Sequence, residues 1–166
     1  MKKLKNAILV STLLMLAACS NSSSPFGGSS NDTFSGNNMG DVSNPTSPAY
    51  FQQAIGDRVF FAIDQSSLSA EGMDLLNSQA TWLMTNGDYE IIVEGHADEQ
   101  GTRDYNVALG ARRANSVKEY LNSLGVAASR IQTVSYGKER PIEICSNESC
   151  YSVNRRAVTV LNNLGS

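Results

Sequence analysis

One histidine and one tryptophan occur in 166 residues, with three cysteines and four prolines. His96 therefore has no second imidazole with which to build a metal cage, and three cysteines cannot supply a four-thiolate set. No metal or other cofactor is expected. No Ser-His-Asp order, catalytic Cys-His pair or glycine-rich phosphate cradle stands out either. Lys and Arg number 13 against 16 Asp and Glu, a net charge of −3 with His neutral, which excludes the basic footprint of a nucleic-acid binder. Also lacking is an apolar run of the roughly 20 residues that cross a bilayer. No internal repeat is evident.

What is present begins with Lys2, Lys3 and Lys5 ahead of the uncharged run Ala7 to Ala18, the basic and apolar regions of a secretory leader. The run ends Leu16-Ala17-Ala18-Cys19, which resembles a bacterial lipobox, so residues 1–18 are expected to be removed and Cys19 to become an acylated N-terminus. Several acyl chains hold a protein to lipid firmly where one holds it marginally. Ser20 stands where aspartate favours retention in the inner membrane of enteric bacteria, so the expected location is the outer membrane, with the domain in the periplasm. Without the three leader lysines, 10 basic residues face 16 acidic ones, a net charge of −6.

Residues 19–49 read as a lipidated start and a flexible linker. Between Ser20 and Ala49 there is no Lys or Arg, and Ser, Asn, Gly and Pro fill 21 of 30 positions, too polar a composition to bury a core. As a coil such a segment spans roughly 30 Å, with an extended limit near roughly 100 Å. A tether and a spacer of no required length fit it equally.

Residues 50–166 read as the folded domain. Arg58 to Ile63 is β-prone; Ser69 then offers a cap oxygen to a helix with Met73, Leu76, Ala80 and Leu83 at helical spacing, stopped by Asn86-Gly87. Glu90 to Glu94 predicts a second strand. A second helix is predicted from about Asp104 to Leu124, with a core stripe Val107, Ala114, Val117 and Leu121 set apart from a face carrying Asn106, Leu109 and Arg113. Ile131 to Tyr136 and Arg156 to Leu161 predict two further strands. The order βαβα followed by two strands implies an α+β fold, a mixed four-stranded sheet with helices on one face. In the polar stretch between the last strands, Cys145 and Cys150 fit either a disulfide, as an oxidising compartment favours, or two free thiols. Trp82 in the first helix reads as core.

One stretch points to chemistry. Gly95-His96-Ala97-Asp98-Glu99-Gln100-Gly101-Thr102 leads into Tyr105-Asn106, Leu109 and Arg112-Arg113-Ala114, and Asn154-Arg155-Arg156-Ala157 follows late. An arginine takes a carboxylate as a planar fork and a carboxylate takes an ammonium, so Asp98 and Arg113 together suit a zwitterionic amino-acid head. Composition alone equally fits a structural ion pair. The ordered motif resembles the peptidoglycan-binding signature of the OmpA-like domain family, in the branch of the peptidoglycan-associated lipoproteins of the Tol-Pal system, across roughly Arg58 to Leu161.

That resemblance implies that Asp98 meets the ammonium and Arg113 the carboxylate of diaminopimelate in the wall peptide. It further implies that Asn106 and Leu109 line the pocket, and that backbone amides of Phe61-Ala62-Ile63-Asp64 reach a ligand carboxylate. Ala62 departs from the family's usual Asp or Gly there. Asn154, Arg155 and Arg156 would touch ligand or buttress the loop; Thr102 is a support position, and His96 is expected as a loop residue with a local hydrogen bond. The implied partners are peptidoglycan, outer-membrane lipid through Cys19, and a TolB-like β-propeller with other Tol proteins. The implied function is non-enzymatic attachment of outer membrane to wall. Alternatives of other classes are a peptidoglycan-acting hydrolase, which needs a catalytic carboxylate pair or a zinc set, and the wall-binding part of another envelope complex such as a flagellar stator.

Overall fold

Ser47 opens the fold as a helix cap: its hydroxyl accepts the Tyr50 N–H at 3.1 Å and donates to the Asp41 carbonyl at 2.6 Å. The computed structural model describes residues 40–163; the leader 1–18, Cys19 and the linker up to residue 39 lie outside the described residues. Helix α1 (Pro48–Tyr50) runs on as a wider helical turn, Phe51–Gly56. Packing thus starts ahead of the Tyr50 boundary that composition predicts. Trp82 explains why: its indole N–H donates to the Pro45 carbonyl at 2.7 Å, and its ring lies between Phe51 and Tyr89, with centroids 4.9 and 5.2 Å away.

The remaining elements are β1 (Arg58–Phe60), α2 (Ala70–Thr85), β2 (Tyr89–His96), α3 (Arg103–Ser123), β3 (Ile131–Gly137), α4 (Glu148–Asn154) and β4 (Arg156–Asn163). The strands lie in the order β1-β4-β2-β3, with β2 and β3 parallel and both β4 pairings antiparallel. This is the mixed sheet of the predicted α+β class. Ser69 caps α2 through the Gly72 N–H and Thr102 caps α3 through the Tyr105 N–H. Leu76, Leu83, Ile91, Val93, Val117, Leu121 and Ile131 are buried in one apolar cluster between the two long helices and the sheet. The buried amide of Gln79 is satisfied on both sides, donating to the Gly56 carbonyl and accepting from the Thr159 hydroxyl.

Three local expectations need correction. The first strand ends at Phe60: one further main-chain bond, from the Phe61 N–H to the Arg155 carbonyl, follows, and beyond it the carbonyls of Phe61, Ala62 and Gln65 are taken by arginine side chains. The second helix does not separate a core face from a site face: Asn106, Leu109 and Arg113 are buried along with Ala114, Val117 and Leu121, whereas Val107 is only half-buried. Within the polar stretch, α4 forms where no apolar period predicts it, capped by Asn147 and closed onto itself by a Cys145–Cys150 disulfide with Cα atoms 5.8 Å apart.

Candidate functional site

The site lies where β2 ends and α3 begins, and two glycines set how close these elements come. A Cβ on Gly95 would stand 1.8 Å from the Gly110 carbonyl oxygen, and one on Gly110 would stand 2.4 Å from the Ser135 hydroxyl. Backbone therefore packs directly on backbone, drawing the first turns of α3 over the loop that follows β2. The loop is pinned along its length. Ala97 N–H donates to the Gly137 carbonyl at 2.8 Å, the Asn106 amide to the Gln100 carbonyl at 2.7 Å, and Lys138 Nζ to the Gly101 carbonyl at 2.7 Å.

A cleft of about 290 Å³ opens there, lined by Ile63, Asp64, Asp98, Gln100, Gly101, Tyr105, Asn106 and Leu109. Three of the residues expected from the sequence, Asp98, Asn106 and Leu109, are thus brought together. Asp64 and Tyr105 join them from opposite sides, bridged by a hydrogen bond from the Tyr105 hydroxyl to the Asp64 carboxylate. Asp64 sits at φ 56°, a left-handed conformation uncommon outside glycine, which turns its carboxylate into the cleft mouth. The resemblance marks Asp64 only for its backbone amide, as the end of the Phe61-Ala62-Ile63-Asp64 segment; the contact of its carboxylate with the Tyr105 hydroxyl has no sequence signal.

Asp98 is only 8% exposed, and its acceptors are partly used: one oxygen takes the Gln100 N–H at 3.2 Å and the other takes Arg155 Nη1 at 3.2 Å. Its direct partner is therefore Arg155 and not Arg113. Arg155 also donates to the Phe61 carbonyl at 3.1 Å and to both carboxylate oxygens of Glu148. The Phe61 N–H in return donates to the Arg155 carbonyl at 2.9 Å, so this amide of the first-strand segment is already engaged and Phe61 itself is buried.

Arg113 is fully buried beneath the cleft. Its guanidinium donates to the carbonyls of Gln65 at 2.8 Å, His96 at 2.7 Å and Ala62 at 3.2 Å, and lies 5.2 Å from the Phe61 ring centroid. Of five N–H donors in the fork, three hold backbone and two remain. Burial pulls its pKa down to about 10, opposed by the negative charge of Asp98, and it stays cationic at neutral pH.

The supporting residues sort cleanly. Thr102 is the α3 cap. Asn154 clamps the preceding loop, accepting from the Ile142 and Glu143 amides and donating to the Glu143 carbonyl, while Arg156 donates to the Asn154 and Arg140 carbonyls. None of these three lines the cleft. His96 departs from expectation: it is the last residue of β2, buried, with neither ring nitrogen hydrogen-bonded, its ring 5.6 Å from that of Tyr136 and its Nε2 3.4 Å from Glu94. Pairing of Gly95 with Ser135 and His96 with Gly137 carries the strand past Glu94, which takes the imidazole out of the loop. Burial, then the charges of Arg156, Arg140 and Arg58, push its pKa down to about 4.

Asp64 at the mouth, the nearly buried Asp98, an apolar wall from Ile63 and Leu109, and buried guanidinium behind make a cleft that can attract an ammonium and tolerate a carboxylate beside it. Among the described residues no group of three or more His, Cys, Asp or Glu is placed to hold a metal ion, and no helix is long and apolar enough to cross a membrane.

Residues 60–156 match the OmpA family. A peptidoglycan-associated lipoprotein of Mesorhizobium japonicum is 46% identical over 164 residues, covering 98% of this chain and 95% of the relative. Another, of Agrobacterium fabrum, is 53% identical over 121 residues, covering 73% of this chain and 68% of its own. Among solved structures, the peptidoglycan-associated lipoprotein from Burkholderia pseudomallei aligns with a TM-score of 0.65 at 34% identity, over 73% of this chain and 98% of that one. The C-terminal domain of Helicobacter pylori MotB shares the fold, with a TM-score of 0.60 at 21% identity over 64% of this chain and 84% of that one. With its sequence, its sheet order and its family match in agreement, the chain belongs to the OmpA family, among the peptidoglycan-associated lipoproteins.

Proposed function

We propose that this protein is an outer-membrane lipoprotein that grips peptidoglycan non-covalently through the cleft at the end of β2, joining membrane to wall within a Tol-Pal system. The observation that carries the reading is Asp98: a nearly buried carboxylate that keeps acceptor capacity facing the cleft, in a family whose members are named for association with peptidoglycan. In this reading Asp98 receives the ammonium of a diaminopimelate head. Arg113 does not line the cleft, and its positive charge behind the wall favours the carboxylate, which reaches its two remaining N–H groups only if the ligand opens the wall. Asn106 and Leu109 shape the pocket, and of the Phe61-Ala62-Ile63-Asp64 segment it is Ile63 and Asp64 that line it, with Phe61 and Ala62 outside the lining. Acylated Cys19 holds the chain in the outer membrane and residues 19–49 give it reach. The relatives are named for attachment and not for a reaction, which supports a binding role over catalysis.

Asp98→Asn keeps shape and removes charge, so it tests the grip without emptying the site. Co-sedimentation of the full chain with purified sacculi, measured well below the melting temperature, is expected to fall by about 2 kcal/mol or more, roughly thirtyfold, and the melting temperature to drop as well because buried Arg155 loses one of its two acids. A well-folded Asp98→Asn protein that sediments like the parent would overturn the assignment. Arg113→Lys is expected to lose both binding and stability, because a point charge cannot serve three carbonyls and a ligand at once.

A further inference from the structure

We propose that the ring closed by Cys145 and Cys150 is a positioning device for the cleft: it holds Glu148 against Arg155, and Arg155 in turn aims Asp98 and fixes the Phe61 segment. The inference rests on the wall-binding reading of the cleft.

The connection is short and made of named bonds. Glu148 lies inside the ring, between the two bridged cysteines, at the first position of α4. Asn147 caps that turn, its side-chain oxygen accepting from the Ser149 N–H at 3.0 Å. A seven-residue helix has little stability of its own, and α4 is anchored at its start by the bridge and by Cys150, which is buried. The ring thus fixes where the Glu148 carboxylate points, although that side chain is mostly exposed and would otherwise be free to turn into solvent.

What it points at is Arg155, which is nearly inaccessible and shared between two acids. Glu148 occupies one edge of the guanidinium with both oxygens. Because the five donors lie in one rigid plane, fixing the Nη1–Nη2 edge on Glu148 fixes the directions of the rest: Nη1, shared with Glu148, also meets Asp98 at 3.2 Å, and Nε meets the Phe61 carbonyl at 3.1 Å. Glu148 also draws off part of the arginine's donor capacity. Without it, the fork turns wholly onto Asp98, neutralising the carboxylate that the ligand ammonium needs. Arg155 and Glu148 are accordingly positioning residues: one acts on the cleft through Asp98, the other through Arg155.

The test uses the full-length protein in mild detergent, as parent, Cys145→Ser/Cys150→Ser, Glu148→Gln, and the triple variant. Two quantities are read well below each melting temperature: hydrogen exchange of the peptides covering 58–65 and 97–102, and co-sedimentation with sacculi. Opening the ring should speed exchange in both peptides relative to β2, since the Phe61 and Gln100 amides are bonded to Arg155 and Asp98. It should also weaken wall binding roughly threefold to tenfold. Glu148→Gln should do the same with the ring intact, and opening the ring in the Glu148→Gln background should weaken binding no further. A staple that only stabilises would lower the melting temperature equally in both backgrounds and leave both peptides unchanged. Unchanged exchange on ring opening, or fully additive losses of binding, would overturn the positioning role. Failure of the parent itself to sediment would overturn the wall-binding reading alone, with the exchange data still deciding the positioning.

Discussion

Arg113 and Arg155 hold one short segment from two sides. The first takes the carbonyls of Ala62 and Gln65, the second the carbonyl of Phe61, and each reaches β2 or its loop with another donor, at His96 or Asp98. A planar fork with several donors is what such a task needs. His96 offers the sharper measurement. Its folded pKa of about 4 lies below the ordinary 6.5, so between those values the unfolded chain binds a proton that the folded chain refuses. Stability is therefore full above pH 6.5 and falls as the pH drops towards 4, by up to about 3 kcal/mol, levelling off below. Urea unfolding between pH 7 and pH 4 should show this slope in the parent and a flatter one in His96→Phe; equal slopes would remove His96 as the cause. The site was half legible at this scale. Asp98, Asn106 and Leu109 could be read from the motif. That Arg113 is buried as deeply as Leu121 could not, because an arginine at helical spacing looks the same in sequence whether it faces a ligand or holds three carbonyls. The Asp98–Arg155 pair spans 57 residues and left no local sign.

Among the elements, periodicity announced α2, α3, β2, β3 and β4 to within a residue or two, since each carries a repeating apolar face or an apolar run. It missed α4, whose sequence Glu-Ser-Cys-Tyr-Ser-Val-Asn has no such face and is shaped by a cap and a bridge. It also overran β1, past which arginine side chains take the carbonyls of Phe61, Ala62 and Gln65. The contact of β2 with α3 is the one on which the cleft depends. Gly110→Ala would set a methyl 2.4 Å from the Ser135 oxygen and 2.8 Å from the Gly95 carbonyl, groups that cannot all withdraw. A loss of roughly 1 to 3 kcal/mol in urea unfolding is expected, with weakened sedimentation on sacculi as α3 lifts from the loop. Gly87→Ala, where an added Cβ meets nothing within 4 Å, should leave both measurements close to the parent.

At the scale of the whole molecule the proposed function depends on the anchor expected ahead of the fold. The Leu16-Ala17-Ala18-Cys19 run predicts that Cys19→Ser, made in cells, is not acylated and leaves the membrane fraction for the soluble periplasm. A Cys19→Ser protein that still fractionates with outer membrane in detergent-free buffer would remove the anchor from the proposed function.

The chain enters the fold at Pro45 and Thr46, whose carbonyls meet Trp82 of α2 and Tyr89 at the start of β2, and the cleft lies past the other end of that strand. Eight strand residues separate the two, roughly 25 Å of extended backbone. On the proposed function, a pull between membrane and wall would act across these two ends of β2, an interior strand bonded to β4 on one side and β3 on the other. Pulled in that direction, a strand must slide past both neighbours at once, so many ladder bonds resist together where a peeled edge would lose them singly. A domain loaded in shear in this way would resist unfolding by force better than one peeled from an edge strand.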